Sequence, residues 1–253
     1  MSKQVNLTIQ GSLATLVLSN PQRKNALSCG MWMNIMEIAQ ELKKNEDIRV
    51  VLIRGEGADF SAGSDMSELA SGEMAGVNVN REIEKAKQAL EDLSVPVVAM
   101  LRGYALGSGV LLALACDIRI ASENTKIGIP AAKRGIGIAL EDTMRLVRLV
   151  GPARAMEILF LGDTFSAETA LQWGLLNEVV KEAELENRIN VWVGKLSVNA
   201  PLTIAAAKVN VLRSMYKETL GEPDPADVCS VSEDMQEGLR AFLEKRDPVF
   251  RGR

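Results

Sequence analysis

Histidine is absent from this sequence of 253 residues, and aromatic residues make up only 4% of it. Without an imidazole, histidine-based triads and histidine metal ligands are excluded, so any proton transfer must use a carboxylate, lysine, tyrosine, cysteine or water. The three cysteines, Cys29, Cys116 and Cys229, are far apart and form no CxxC pair. This spacing predicts free thiols in a reducing compartment, with no disulfide framework and no metal site.

Long apolar runs and a strong charge of one sign are also lacking. No apolar stretch reaches the roughly 18 residues that a membrane span needs, and the N-terminus turns polar within a few residues. The formal net charge is −4, with lysine and arginine scattered among acids, which argues against a nucleic-acid partner. We therefore expect a cytoplasmic protein that binds neither membranes nor nucleic acid, and whose 47% hydrophobic content builds a large core.

The order of apolar patterns predicts an α/β fold. Residues 5–9 and 14–18 alternate around a Gly-Ser turn, as an antiparallel hairpin does. Apolar strand patterns then alternate with helical periodicity up to about residue 140, which predicts a wound parallel sheet, and helices dominate afterwards. We expect a main core over residues 1–195 and a helical segment over residues 196–253.

Two glycine-bearing turns follow predicted strands, at residues 62–65 and 103–109. In the second turn, the N–H of Ser108 would stand unpaired at the positive end of a helix. A second N–H from Ala62 or Gly63 would complete an oxyanion hole around one carbonyl oxygen, each donor being worth about 3 kcal/mol to a developing enolate. The alternative is that both are ordinary tight turns.

The second turn also begins like a dinucleotide-binding fingerprint, because Gly107 and Gly109 open a helix after a strand. Leu112 stands where the third glycine would let helix and strand pack closely. We therefore predict no nicotinamide cofactor.

Six segments resemble the enoyl-CoA hydratase/isomerase (crotonase) superfamily in order and spacing. They are residues 20–28, 59–66, 103–118, 148–156, 170–175 and 242–250. The resemblance implies a crotonase-like superhelix of repeated ββα turns and a coenzyme A thioester ligand, with coenzyme A entering as part of the substrate. It also implies homotrimers or dimers of trimers, with trimerisation through residues 196–253.

The resemblance also implies particular binding residues. The two backbone donors to the thioester fall on Ala62 and Ser108. Contacts to the coenzyme fall on Arg23, Lys24, Ala26, Ala62, Asp65, Met66, Lys245 and Phe250. For Arg23 and Lys24 a solvated basic turn is an open alternative, and for Asp65 the alternative is a turn and cap residue.

The sequence departs from the family at both acid positions. Leu111 and Ala131 stand where the resemblance implies the two hydratase glutamates, so water addition by two glutamates is excluded. The resemblance implies that Glu141 or Asp142 could supply a carboxylate instead, because some members of the superfamily place a working acid in this segment, before the helix predicted from Thr143. The alternative is that both acids only cap that helix.

These features leave three possible functions to compare. The first is an enzyme that enolises an acyl-CoA, with Glu141 or Asp142 moving a proton in isomerisation or an unusual hydration. The second is a catalytically silent acyl-CoA binder that serves as a carrier or as a partner of lipid-metabolism enzymes. The third is a serine peptidase of the related Clp-like fold, which the absence of histidine argues against. We favour the enzyme.

Overall fold

The computed structural model describes residues 4–71, 77–214, 228–229 and 232–253. Its strands are β1 (Gln4–Gln10), β2 (Leu13–Ser19), β3 (Val50–Gly55), β4 (Val97–Leu101), β5 (Tyr104–Leu106), β6 (Ile118–Ser122), β7 (Lys126–Gly128), β8 (Thr164–Ser166) and β9 (Glu178–Val180). Its α-helices are α1 (Cys29–Leu42), α2 (Met66–Ser71), α3 (Val77–Glu91), α4 (Ser108–Leu114), α5 (Leu140–Leu161), α6 (Ala167–Gln172), α7 (Leu185–Val198), α8 (Pro201–Arg213) and α9 (Glu233–Glu244).

The larger sheet has six strands in the order β1-β2-β3-β4-β6-β9. The first pair is antiparallel and every later pair is parallel. Strands β3 and β4 are almost entirely apolar because both of their faces are covered. Alternate residues of β3 pack into different clusters: Val51 and Ile53 face the main core, whereas Val50 and Leu52 face α7.

A smaller sheet, in the order β5-β7-β8, places the second glycine-bearing turn. Strand β5 runs parallel to β7 and ends at Leu106, immediately before Gly107 and the first residue of α4. Beside it, Ser61 forms a parallel bridge with Ala105. The two turns predicted from the sequence therefore lie side by side.

The predicted hairpin, the three apolar strands and the α/β class are confirmed. The sequence predicts separate helices over residues 143–150 and 153–161, and these form one kinked helix, α5, in which Gly151 has non-helical dihedrals. The short strands β5, β7, β8 and β9 were not predicted, because runs of three residues carry no readable period. The Gly/Pro/Asp cluster at residues 221–225, whose late position in the sequence predicts one main domain with a helical tail, lies outside the described residues.

The boundary expected between residues 195 and 196 falls inside α7. Helix α8, which follows, is tied to the core by an ion pair in which Lys208 Nζ lies 2.8 Å from Asp117 Oδ2. In the described ranges, no helix combines the length and the apolar character that crossing a bilayer requires.

Candidate active site

Backbone hydrogen bonds hold the two glycine-bearing turns together, and their glycines leave the space that this close approach needs. The N–H of Ser61 donates to the carbonyl of Tyr104 at 2.8 Å, and the N–H of Leu106 donates back to the carbonyl of Ser61 at 2.9 Å. A Cβ added to Gly109 would lie 2.8 Å from both the Cβ and the carbonyl oxygen of Ser61. Only glycine therefore lets α4 begin this close to the first turn.

Gly63 shows the same closeness from the other side. Its φ of +105° disfavours a side chain, and an added Cβ would lie 3.0 Å from the Leu106 carbonyl oxygen and 3.6 Å from the Ser108 amide nitrogen. The first turn thus approaches the N-terminus of α4 at van der Waals distance. The two turns predicted to share one space therefore do meet.

The prediction that Ala62 supplies a backbone donor is wrong. Its N–H donates to the carbonyl of Lys24 at 2.8 Å, so this amide is already used. The neighbouring Gly63 N–H donates to Ser61 Oγ at 3.2 Å. The sequence alone does not show how residues 61–65 align with residues 24–27. That alignment decides which backbone amides of the first turn are occupied.

The amides of Ser64 and Ser108 are both available. Within the described residues, neither N–H has an acceptor at hydrogen-bonding distance. On either side of Ser64, the carbonyl of Gly63 accepts from Leu27 at 2.7 Å and the N–H of Asp65 donates to Leu27 at 2.8 Å. Because directions alternate along extended backbone, the Ser64 N–H faces away from Leu27.

Ser64 and Ser108 both line a cavity of about 440 Å³. Its wall includes the apolar residues Met66, Leu69, Ile83, Leu111, Ile129 and Ala131. Leu111 and Ala131 therefore lie at the cavity, as the resemblance implied for the acids they replace, and they make this part of the wall apolar. The charged side chains on the wall are Glu84, Lys87, Arg134 and Asp142.

A buried ionic cluster forms one side of the cavity. Lys87 of α3 is 2% exposed, donates to Asp142 of α5, and lies 3.0 Å from the Glu84 carboxylate. Arg145, one turn after Asp142, lies 2.6 Å from both Glu84 and Glu91 and 3.4 Å from Asp142. Three carboxylates thus share two cations in a setting mostly removed from water.

Burial separates the acidities of these carboxyl groups. It raises the pKa of Asp142 above its ordinary value, with the positive charge of Lys87 acting in the opposite direction. Burial acts upward on Glu84 as well, but hydrogen bonds from Arg145 and the charge of Lys87 outweigh it and lower its pKa. Of these two carboxyls, Asp142 is the one suited to exchange a proton closer to neutral pH.

Only one of the two candidate acids reaches the cavity. Glu141 is exposed and does not contribute to the wall, whereas Asp142 is buried and does. The side-chain hydrogen bonds to Asp142 come from Lys87 and Arg145, and both end on Oδ1. Both acids lie in the first turn of α5, as the helix-start alternative expected, but the N-cap position is Ala139, and Asp142 in addition contributes to the cavity wall.

The residues expected to contact the coenzyme at the N-terminal side lie together. Arg23 Nη1 lies 2.9 Å from Asp65 Oδ1, and that oxygen also accepts from the Ser67 N–H at 3.0 Å. Asp65 is thus fully buried as a cap of α2 and a partner of Arg23, which matches the turn and cap alternative. Lys24 Nζ lies 3.9 Å from the centroid of the Tyr104 ring.

Two other expected contacts belong to the same region. Ala26 is buried next to this turn, and Met66 is half exposed at the cavity wall. Lys245 and Phe250, by contrast, do not line the cavity. Lys245 is the C-cap residue of α9, and Phe250 lies against Gly238 of the same helix. Within a single chain, neither residue therefore reaches the cavity.

Sequence reasoning missed Ser64, Glu84, Lys87 and Arg145. Glu84 and Lys87 occupy i and i+3 of a helix that the periodicity predicts, which places them on one face. Opposite charges at i and i+3 are typical of ion pairs on an exposed helix surface. No pattern in the neighbouring sequence indicates that α5 covers this pair. Across the described ranges, no three side chains of the histidine, cysteine, aspartate or glutamate type are placed to hold a metal ion.

Comparison with known proteins agrees with this architecture. The family model for enoyl-CoA hydratase/isomerase matches residues 8–253. The chain belongs to the enoyl-CoA hydratase/isomerase family. A carnitinyl-CoA dehydratase from Salmonella paratyphi A is 34% identical over 267 aligned positions, with all of both chains covered.

Solved structures of the enoyl-CoA hydratase/isomerase family superpose closely on this chain. An enoyl-CoA hydratase/carnithine racemase from Magnetospirillum magneticum matches with a TM-score of 0.94 at 30% identity, covering 100% of this chain and 97% of its own. An enoyl-CoA hydratase from Bacillus anthracis matches with a TM-score of 0.90 at 29% identity, covering 98% and 99%. The crotonase fold is therefore shown, and the family's ligands are CoA thioesters.

Proposed function

We propose that this protein enolises an acyl-CoA thioester, with the amides of Ser64 and Ser108 holding the oxyanion and Asp142 moving the proton. One observation carries the proposal: Ser64 and Ser108, whose amides have no acceptor among the described residues, line a cavity that also contains the buried carboxyl group of Asp142, whose pKa burial raises. Donors at the developing oxyanion and a tuned base are what enolisation requires.

The proposed reaction is a proton transfer between carbons. The Asp142 carboxylate removes a proton from the α carbon, and the electron pair moves to the thioester oxygen facing the two amides. The resulting enolate collapses when Asp142 returns the proton to the α carbon or, in a 3-enoyl thioester, to the γ carbon. The first outcome exchanges the α proton when the proton on Asp142 is first replaced by one from water, and the second moves the double bond. Neither outcome consumes water.

The cavity wall favours isomerisation over hydration. Addition of water by acid and base catalysis uses one group to activate water and another to protonate carbon. Leu111 and Ala131 contribute no such groups, and Glu84 is held by Arg145 and Lys87 with a lowered pKa. This leaves a single carboxyl group of raised pKa among the described residues of the wall.

The acyl group that we propose differs from carnitinyl. A quaternary ammonium group is recognised best by the faces of aromatic rings. No aromatic side chain lines the described part of the cavity, whose wall is aliphatic around the ionic cluster. We therefore expect an uncharged aliphatic acyl chain, even though the Salmonella relative is a carnitinyl-CoA dehydratase.

A catalytically silent acyl-CoA binder is the second candidate, and the apolar residues Leu111 and Ala131 favour it. The enzyme and the silent binder are distinguished by incubating the protein with saturated, 2-enoyl and 3-enoyl thioesters in deuterated water and following the α carbon by NMR. Enolisation predicts deuterium incorporation and conversion of the 3-enoyl thioester. Tight thioester binding without any exchange would refute the enzyme and support the binder.

We also propose a homotrimer or a dimer of trimers working in the cytoplasm. Large apolar side chains are exposed at the end of α5 and on α9, including Phe160 at 71% and Phe242 at 81%, as expected of surfaces that pack against other subunits. Lys245 and Phe250 lie away from the cavity of their own chain. Any contact that they make with coenzyme A would therefore be with a molecule bound in the cavity of another subunit. Light scattering after size-exclusion chromatography tests the assembly, and a monomer would refute it.

A further inference from the structure

Two serine hydroxyl groups lie beside the pair of available amides. Ser64 Oγ and Ser108 Oγ are 2.6 Å apart, and both residues line the cavity. Their separation is that of a strong O–H···O hydrogen bond. The same two residues thus bring their backbone donors and their side chains to one place.

The number of protons in this pair leaves one donor available. Each hydroxyl has one proton and can accept two hydrogen bonds. Whichever serine donates within the pair uses one proton, and the other proton has no acceptor among the described side chains and backbone. The accepting serine therefore has an O–H group that can point toward a ligand in the cavity.

We propose that the Ser64–Ser108 hydroxyl pair supplies a third hydrogen-bond donor to the thioester oxygen. The proposal rests on the enolisation proposed above and extends it to side chains that enolate stabilisation by backbone alone would not need. A hydroxyl donating to an anionic oxygen forms a shorter and stronger bond than one donating to a neutral carbonyl. The donor therefore stabilises the enolate more than the bound substrate, which raises the rate of enolisation.

Within this pair, one hydroxyl orients and polarises the other. A hydroxyl that accepts a hydrogen bond becomes a better donor, because chains of hydrogen bonds polarise one another. Losing either serine leaves one hydroxyl that can still reach the oxygen, but without its orienting partner. Losing both removes the donor, while the backbone amides of alanine at the same positions remain.

The experiment compares Ser64→Ala, Ser108→Ala and the double variant, with Ser71→Ala as a matched control. Ser71 is exposed on α2, and its hydroxyl donates to the backbone carbonyl of Glu68. We expect the double variant to lose about tenfold or more in the rate of α-proton exchange, and each single variant to lose less. Melting temperature should change little, thioester affinity should fall by no more than about fivefold, and Ser71→Ala should behave like the wild type.

A second measurement needs no catalysis. The ratio of affinities for an acyl-CoA thioester and for the matching thioether, which lacks the carbonyl, reports the hydrogen bonds made to that oxygen. We expect the double variant to lose about fivefold in this ratio, as removal of one hydrogen bond predicts. If the wild type exchanges no proton in any thioester, the enolisation proposal fails, and the affinity ratio alone decides the role of the serines.

Two outcomes would overturn the hydroxyl donor. In the first, the double variant keeps both the wild-type exchange rate and the wild-type affinity ratio. In the second, mass spectrometry finds an acyl group on Ser64 or Ser108 with release of the coenzyme A thiol, which would make the serine a nucleophile. The hydroxyl donor is supported if the double variant loses proton exchange, keeps its melting temperature and shows no acyl adduct.

Discussion

Lys87 and Asp142, which are 55 positions apart in the chain, form a buried ion pair on the wall of the cavity. The pair joins α3 to the first turn of α5 and places a carboxyl group at the site where Leu111 and Ala131 contribute none. Removing one partner of such a pair leaves a charge buried without compensation, which typically costs about 3–5 kcal/mol. The arrangement therefore depends on both residues.

The first prediction separates the two neighbouring acids of α5. Asp142→Asn should reduce α-proton exchange by about a hundredfold or more, because a positioned acid or base contributes at least that much. Glu141→Gln, one residue away but exposed, is the control and should keep the wild-type rate. Binding of the thioester, measured by calorimetry, should persist in both. Equal rates in the two variants would remove Asp142 from the mechanism.

The second prediction concerns pH. Asp142 acts as a base only when it has lost its proton, so the exchange rate should rise with pH through a midpoint above the ordinary range of aspartate, because burial raises its pKa. Lys87 lowers the pKa of this carboxyl, so Lys87→Met should move the midpoint to higher pH. A midpoint that stays in place, or moves to lower pH, would contradict the assignment. Melting temperatures should accompany the profiles, since this variant also breaks the buried pair.

The third prediction tests the close approach of the two turns. Gly109→Ala places a methyl group 2.8 Å from Ser61 and should destabilise the fold by about 1–3 kcal/mol while separating α4 from the first turn. Gly194→Ala is the matched control, because Gly194 also lies in a helix and has open space around it. That change should stabilise by about 0.5–1 kcal/mol. Urea unfolding measures both, and a Gly109→Ala protein as stable and as active as the wild type would contradict the geometry.

The fourth prediction concerns thiol reactivity. Cys116 is buried, and burial raises its pKa to about 12, so the native protein at pH 8 should leave this thiol unmodified by iodoacetamide. Cys29 and Cys229 are partly exposed and should react first. Peptide mass spectrometry gives the order of labelling, and denaturant should remove the difference. Rapid labelling of Cys116 in the native state would show that this part of the core opens.

Several features of the site follow from the sequence because they depend on local chemistry. Gly107 and Gly109 predict a sharp turn into a helix, and Ser108 lies there with its amide available. The substitutions Leu111 and Ala131 are visible in the chain once the family pattern is applied. The choice between Glu141 and Asp142 stayed open, because neighbouring residues at a helix start point about 100° apart, and only a packing partner decides which one is covered.

The sequence by itself determined the alternation of strands and helices, the glycine turns and the family, because dihedral preferences and apolar periods act over a few residues. Tertiary structure decided which amides remain available and which carboxyl is buried. The amide of Ala62 is occupied because Lys24 lies beside it, and Asp142 faces the cavity because Lys87 meets it there. Such pairings join residues distant in the chain, so no local pattern records them.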